Sequence, residues 1–142
     1  MPANAAVYIQ KEKVDLKEVF KKVKSDKRFF KKATYYDVDL GKNIIRFNVM
    51  DSSQVESHIQ NFLGYIASLS HNKERIDDAS FAIKHTKVVL GLKTSLEFKN
   101  DDAIWESLFR IADKYSGFVF VYDSVLLPSG TVLVGPLLKT NV

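Results

Sequence analysis

The sequence predicts an α+β fold, a mixed β-sheet with helices packed on one face and one right-handed strand–helix–strand unit. Three observations lead there. Residues 85–122 read as strand, amphipathic helix, strand, with both helix boundaries signalled. Residues 34–49 read as a β-hairpin, and residues 51–69 carry an apolar stripe at helical spacing. Strands and helices in this order build a layer of helices on a sheet.

Taken in order, the chain first offers Val14-Asp15-Leu16-Lys17-Glu18-Val19 as a helix start. Asp15 and Glu18 have capping-box spacing, and Val14 and Val19 occupy the positions of a hydrophobic staple. Leu16, Val19, Phe20 and Val23 then give one apolar face, so a basic N-terminal helix is expected over about 15–25. One ring or both of Phe29 and Phe30 is expected to be buried.

Thr34–Val38 and Ile44–Val49 form the hairpin, around turn residues 39–43. Ile45, Phe47 and Val49 fall on one face, with Arg46 and Asn48 on the other, as expected of a strand pair covered on one side. The next helix starts near Asp51-Ser52-Ser53, with Ser53 and Glu56 as a capping box, and buries Val55, Ile59, Phe62, Ile66 and Leu69. Gly64 lies inside it, at a cost of about 1 kcal/mol against alanine; close packing is the usual reason for such a residue. Ile76, Ala79 and Ile83 suggest a short helix over 73–84, although Phe81 breaks the stripe.

Lys87–Lys93 is an apolar strand. Asp101 and Asp102 suit a helix N-terminus, Lys114 suits its C-terminus, and Gly117 is placed as a left-handed residue beyond the last turn. Phe118–Tyr122 is the second strand, and the crossover is expected to be right-handed. Pro128-Ser129-Gly130 is a turn before a last strand at Thr131–Val134, an edge able to pair with a second chain.

The 142 residues suit one domain, and the absence of cysteine excludes disulfides, thiolate metal sites and cysteine nucleophiles. No segment reaches the roughly 20 apolar residues of a membrane span, and the N-terminus lacks a signal pattern, so a cytoplasmic protein is expected. The charge is uneven. Residues 11–32 hold ten Lys/Arg against four Asp/Glu, a net +6, while the rest of the chain is at −2.

Motifs for chemistry are scarce. The six glycines are too far apart for a phosphate loop, and no hydrolase elbow is present. His58, His71 and His85 have no zinc spacing. Asp37 and Asp39 fit a solvated strand and a turn better than a catalytic pair, and Asp101-Asp102 is explained by capping. No catalytic residue, metal or cofactor is called for. Thr94, Ser95, Asp123 and Ser124 form a candidate ligand site, because ligands of α/β units gather beyond the carboxyl ends of parallel strands. Lys17, Lys21 and Lys24 on one flank of the basic helix, with Lys27 and Arg28 just beyond it, form a candidate interaction surface, where cations interleaved with aromatics suit an anionic partner.

Ile83–Leu92, the pattern Asp102-x-x-Trp105-x-x-Leu108-x-x-Ile111-Ala112, Gly117–Phe120 and Leu127–Gly130 together resemble a group of uncharacterised bacterial α+β proteins, over residues 80–135. The resemblance implies a bacterial origin and the same strand–helix–strand order, and no activity. The function expected is that of a non-enzymatic protein-interaction, inhibitor or immunity-type module with another protein as partner. Nucleic-acid binding through the basic helix, and ligand binding or catalysis near Thr94 and Asp123, are the alternatives. Oligomeric state is left open.

Overall fold

The computed structural model describes residues 5–94 and 98–138. Its strands are β1 (Ala5–Ile9), β2 (Val23–Ser25), β3 (Tyr35–Asp39), β4 (Ile44–Val49), β5 (Val88–Lys93), β6 (Phe118–Val121), β7 (Ser124–Leu126) and β8 (Val132–Val134). The helices are α1 (Ser52–Ala67), α2 (Lys73–Lys84) and α3 (Asp102–Lys114). All the strands join one sheet in the order β2-β3-β4-β5-β1-β6-β7-β8. The α+β class is as predicted.

The sheet is antiparallel throughout rather than mixed. The strands β5 and β6, joined by α3, do point the same way. They are not neighbours, because β1 lies between them and pairs with both: Val7 faces Leu90 on one side and Val119 on the other. The helices also cover both faces, not one. Alternation along the central strands creates two cores. Val7, Ile9, Leu90, Leu92, Val119 and Val121 pack with Ile104, Leu108 and Ile111 of α3. Tyr8, Val89, Phe118 and Val125 pack with Val55, Ile59, Phe62 and Ile66 of α1 and Ala79 and Ile83 of α2. Burial on both faces explains why β5 and β6 read as continuous apolar runs. The flanking strands β3 and β4 alternate because only their α3-side face is covered.

The expected basic helix over about 15–25 does not form. Asp15 accepts a hydrogen bond from Lys17 N (3.0 Å), but only a 3₁₀ turn, Leu16–Glu18, follows before the chain enters β2. Tertiary contacts override the local pattern. The Tyr115 hydroxyl on α3 lies 2.7 Å from the Asp15 carbonyl oxygen and 2.8 Å from the Glu18 carboxylate, and it accepts from Asp15 N at 3.1 Å. Arg110 donates to the Val19 carbonyl and lies over the Phe20 ring. Leu16, Val19 and Phe20 are buried as the stripe implied, but beneath a pinned turn. The Glu18 side chain is drawn to Tyr115 instead of closing a capping box.

Candidate interaction surface

Between β2 and β3 the chain makes an excursion over residues 26–34. Arg28 and Lys31 exchange two backbone hydrogen bonds (3.2 and 3.1 Å), leaving Phe29 and Phe30 as the two-residue tip of a minimal hairpin. Neither has a positive φ. The turn is thus not of the primed type whose twist matches a strand pair, which fits a ladder that stops after one bridge.

Both rings stand in water: Phe29 is 93% and Phe30 is 96% exposed. The expectation that one or both rings are buried is overturned. In a strand, adjacent side chains take opposite faces; at a two-residue tip, neither ring has a face to pack on. Among the described residues the rings' one aromatic contact is with each other, edge to face, with centroids 4.8 Å apart at 81°.

The base of the excursion is tied by Asp26. Its carboxylate accepts from Thr34 N (2.6 Å), from the Thr34 hydroxyl and from Tyr35 N (3.3 Å). These bonds, the Thr34 hydroxyl first, hold the Asp26 carboxyl down at about 2 from its ordinary 3.8. Lys31 Nζ lies 3.6 Å from the same carboxylate, and Lys27 Nζ lies 3.9 Å from Asp15. The Ser25 hydroxyl accepts from Lys27 N. Arg28 and Lys32 form no salt bridge among the described residues, and both are exposed.

The five candidate residues are distributed, and the three expected on one helical flank, Lys17, Lys21 and Lys24, do not share an α-helix. Lys17 is on the 3₁₀ turn, Lys21 follows it, and Lys24 lies on β2, while Lys27 and Arg28 lead into the tip. All five are exposed. Lys24 sits opposite Asp37, and Asp37 is gripped by Arg46 through two hydrogen bonds (2.7 and 2.9 Å). The Arg46 guanidinium beside it lowers the Asp37 pKa and also covers the Tyr35 ring at 4.0 Å. The open face of β2–β4 is thereby occupied by its own paired charges.

Of the second set of candidates, Thr94, Asp123 and Ser124 lie among the described residues. Thr94 follows β5 and Asp123 follows β6 at the same end of the sheet, with β1 between their strands, two strand spacings or roughly 10 Å. Ser95 lies outside the described residues. Ser124 is fully buried, and its hydroxyl is used structurally, accepting from Leu137 N (2.9 Å) and donating to the Tyr122 carbonyl. Asp123 is in the β6–β7 turn, where Tyr122 and Asp123 have φ of 49° and 60°, and its carbonyl accepts from the Tyr65 hydroxyl.

His58 is engaged, its Nε2 being 2.7 Å from the Tyr8 hydroxyl and its ring stacked on the same side chain. His71 Nε2 accepts from Gly135 N (2.9 Å). Among the described residues no group of three or more His, Asp or Glu is placed to hold a metal, and no helix is long and apolar enough to cross a membrane.

No protein-family model matches this chain, and no curated protein or solved structure matches it.

Proposed function

We propose that this chain is a non-enzymatic binding module of the inhibitor, immunity or accessory type, which grips another protein through the Phe29–Phe30 tip. One observation carries the reading: two adjacent phenylalanines, 93% and 96% exposed, on an excursion whose base is fastened by Asp26. Fully burying a phenylalanine is worth roughly 1.5–3 kcal/mol. Folding of the chain alone gains none of that here, whereas a partner that buries both rings gains it. Aromatic anchors at the centre of an interface commonly carry most of its binding energy.

Two details favour protein over nucleic acid. The rings meet edge to face, so they form no parallel slot for a base. The neighbouring sheet face holds Arg46 in a two-pronged pair with Asp37, which removes one cation from any phosphate track. A cytoplasmic site of action fits a chain without cysteine.

The test is native affinity purification with the full chain, followed by calorimetric titration of the purified partner. Saturable binding is expected, with Phe29→Ala/Phe30→Ala weakening it by about 100-fold or more, as for two hot-spot residues. Unchanged affinity in the double variant, or turnover of a small molecule by the free chain, would contradict the proposal.

A further inference from the structure

The four cations around the tip fall into two sets. Lys27 and Lys31 already face carboxylates of their own chain, Asp15 and Asp26. Arg28 and Lys32 flank the same turn and have no salt-bridge partner among the described residues. Arg28 is also one of the two residues whose backbones close the turn, so its side chain starts from a fixed point beside Phe29.

Resting on the protein-contact reading above, we infer that the partner presents an apolar pocket rimmed by carboxylates. Phe29 and Phe30 fill the pocket. Arg28 and Lys32 bind the rim, while Lys27 and Lys31 brace the hairpin.

The shape and the charge lead to the same partner. A convex tip with both rings in water needs a concave acceptor. The guanidinium of Arg28 offers paired donors in a plane, the geometry that a carboxylate matches. Residues 11–32 carry a net +6 against −2 for the rest of the chain, so the attractive field for an acidic surface is concentrated in the segment that bears the tip. Two copies meeting tip to tip would place like charges together, which disfavours self-association there. Contacts of this kind divide their effects: charge governs the approach of the partners, and buried rings govern how long they stay.

The experiment places the photo-crosslinking residue p-benzoylphenylalanine at position 29 of the full chain. The protein is irradiated in an extract of its source cells, and the attachment point is sequenced. The captured protein is then purified and its association rate measured from 50 to 500 mM NaCl. The variants are Arg28→Glu/Lys32→Glu and Lys27→Gln/Lys31→Gln, each checked for an unchanged unfolding temperature. Attachment at an apolar site bordered by Asp or Glu is expected. The association rate should fall about tenfold or more with salt and with the charge reversal, and less than about threefold in the lysine-to-glutamine variant.

Attachment to a protein at a site without carboxylates, or a rate indifferent to salt and to the reversal, overturns the inference and leaves the protein-contact reading standing. Attachment only to lipid or nucleic acid, or no attachment at all, overturns both.

Discussion

Individual residues in this chain are set by backbone geometry as much as by side-chain chemistry, and the glycines show it. Gly117 does not have the left-handed conformation expected beyond α3. Ser116 does, at φ 55°, while Gly117 N closes the helix by donating to the Ala112 carbonyl at 2.7 Å. Glycine is required at 117 for a different reason: a Cβ there would stand 2.1 Å from the Tyr8 carbonyl oxygen of β1. That constraint was invisible in the sequence because it depends on a strand more than a hundred residues away. Gly64 is the converse case. A Cβ there meets nothing within 4 Å, so close packing does not explain it. The two positions therefore predict opposite outcomes in urea unfolding. Gly64→Ala should stabilise the protein by about 1 kcal/mol, the helix-propensity difference. Gly117→Ala should destabilise it by about 2 kcal/mol or more, because backbone must shift to admit the methyl group.

Among the elements, those with local signals were legible. The hairpin of β3 and β4 pairs Tyr36 with Phe47 and Val38 with Ile45, burying the face that alternation selected. Helix α1 buries Val55, Ile59, Phe62 and Ile66 as the stripe required, although Asp51 rather than Ser53 caps it. Helix α2 forms despite Phe81, which stays 66% exposed and packs on His85. Elements specified by distant contacts were not legible. The strand β1 was not legible because its partners lie some 80 and 110 residues away. The strand β7 was hidden because its hairpin with β6 turns on Tyr122-Asp123, which lacks the Asn-Gly chemistry that normally marks a primed turn. Tyr122 is held there by ring contacts with Phe98 and Trp105.

The tip excursion has its own pH dependence. The Asp26 carboxyl is lowered in the folded chain to about 2 from 3.8. Its contribution is therefore fully present above the ordinary value and is lost as pH falls from there through about 2. Hydrogen-exchange protection factors at Thr34 and Tyr35 should fall between pH 4 and pH 2, while amides of β1 and β5 stay protected. Asp26→Ala should remove the Thr34 and Tyr35 protection at neutral pH as well. Protection unchanged in that variant would show that Asp26 does not tie the excursion.

Across the whole molecule, one edge strand of the sheet has two backbone carbonyls engaged by a side chain. Arg75 donates to the carbonyls of Val132 and Leu133 on β8, the strand expected to offer a free edge for a second chain. At the other end β2 is short and presents Lys24. The candidate surface was half legible. The mixture of cations and aromatics at 27–32 was visible in the sequence, but not that both rings are exposed, because burial is the usual fate of phenylalanine. The three lysines expected on one helix flank belong to a turn, the segment after it and a strand.

The central claim is that Phe29 and Phe30 serve a partner and not the fold. Thermal unfolding of wild type and Phe29→Ala/Phe30→Ala, each with and without saturating purified partner, tests it most directly. The free proteins should unfold within about 2 °C of each other, since little burial is lost. Partner should raise the wild-type midpoint by several degrees, as expected for a ligand that binds only the folded state, and at the same concentration raise the variant's by much less. A double variant that is markedly less stable on its own, or one that the partner stabilises as much as wild type, would contradict the claim.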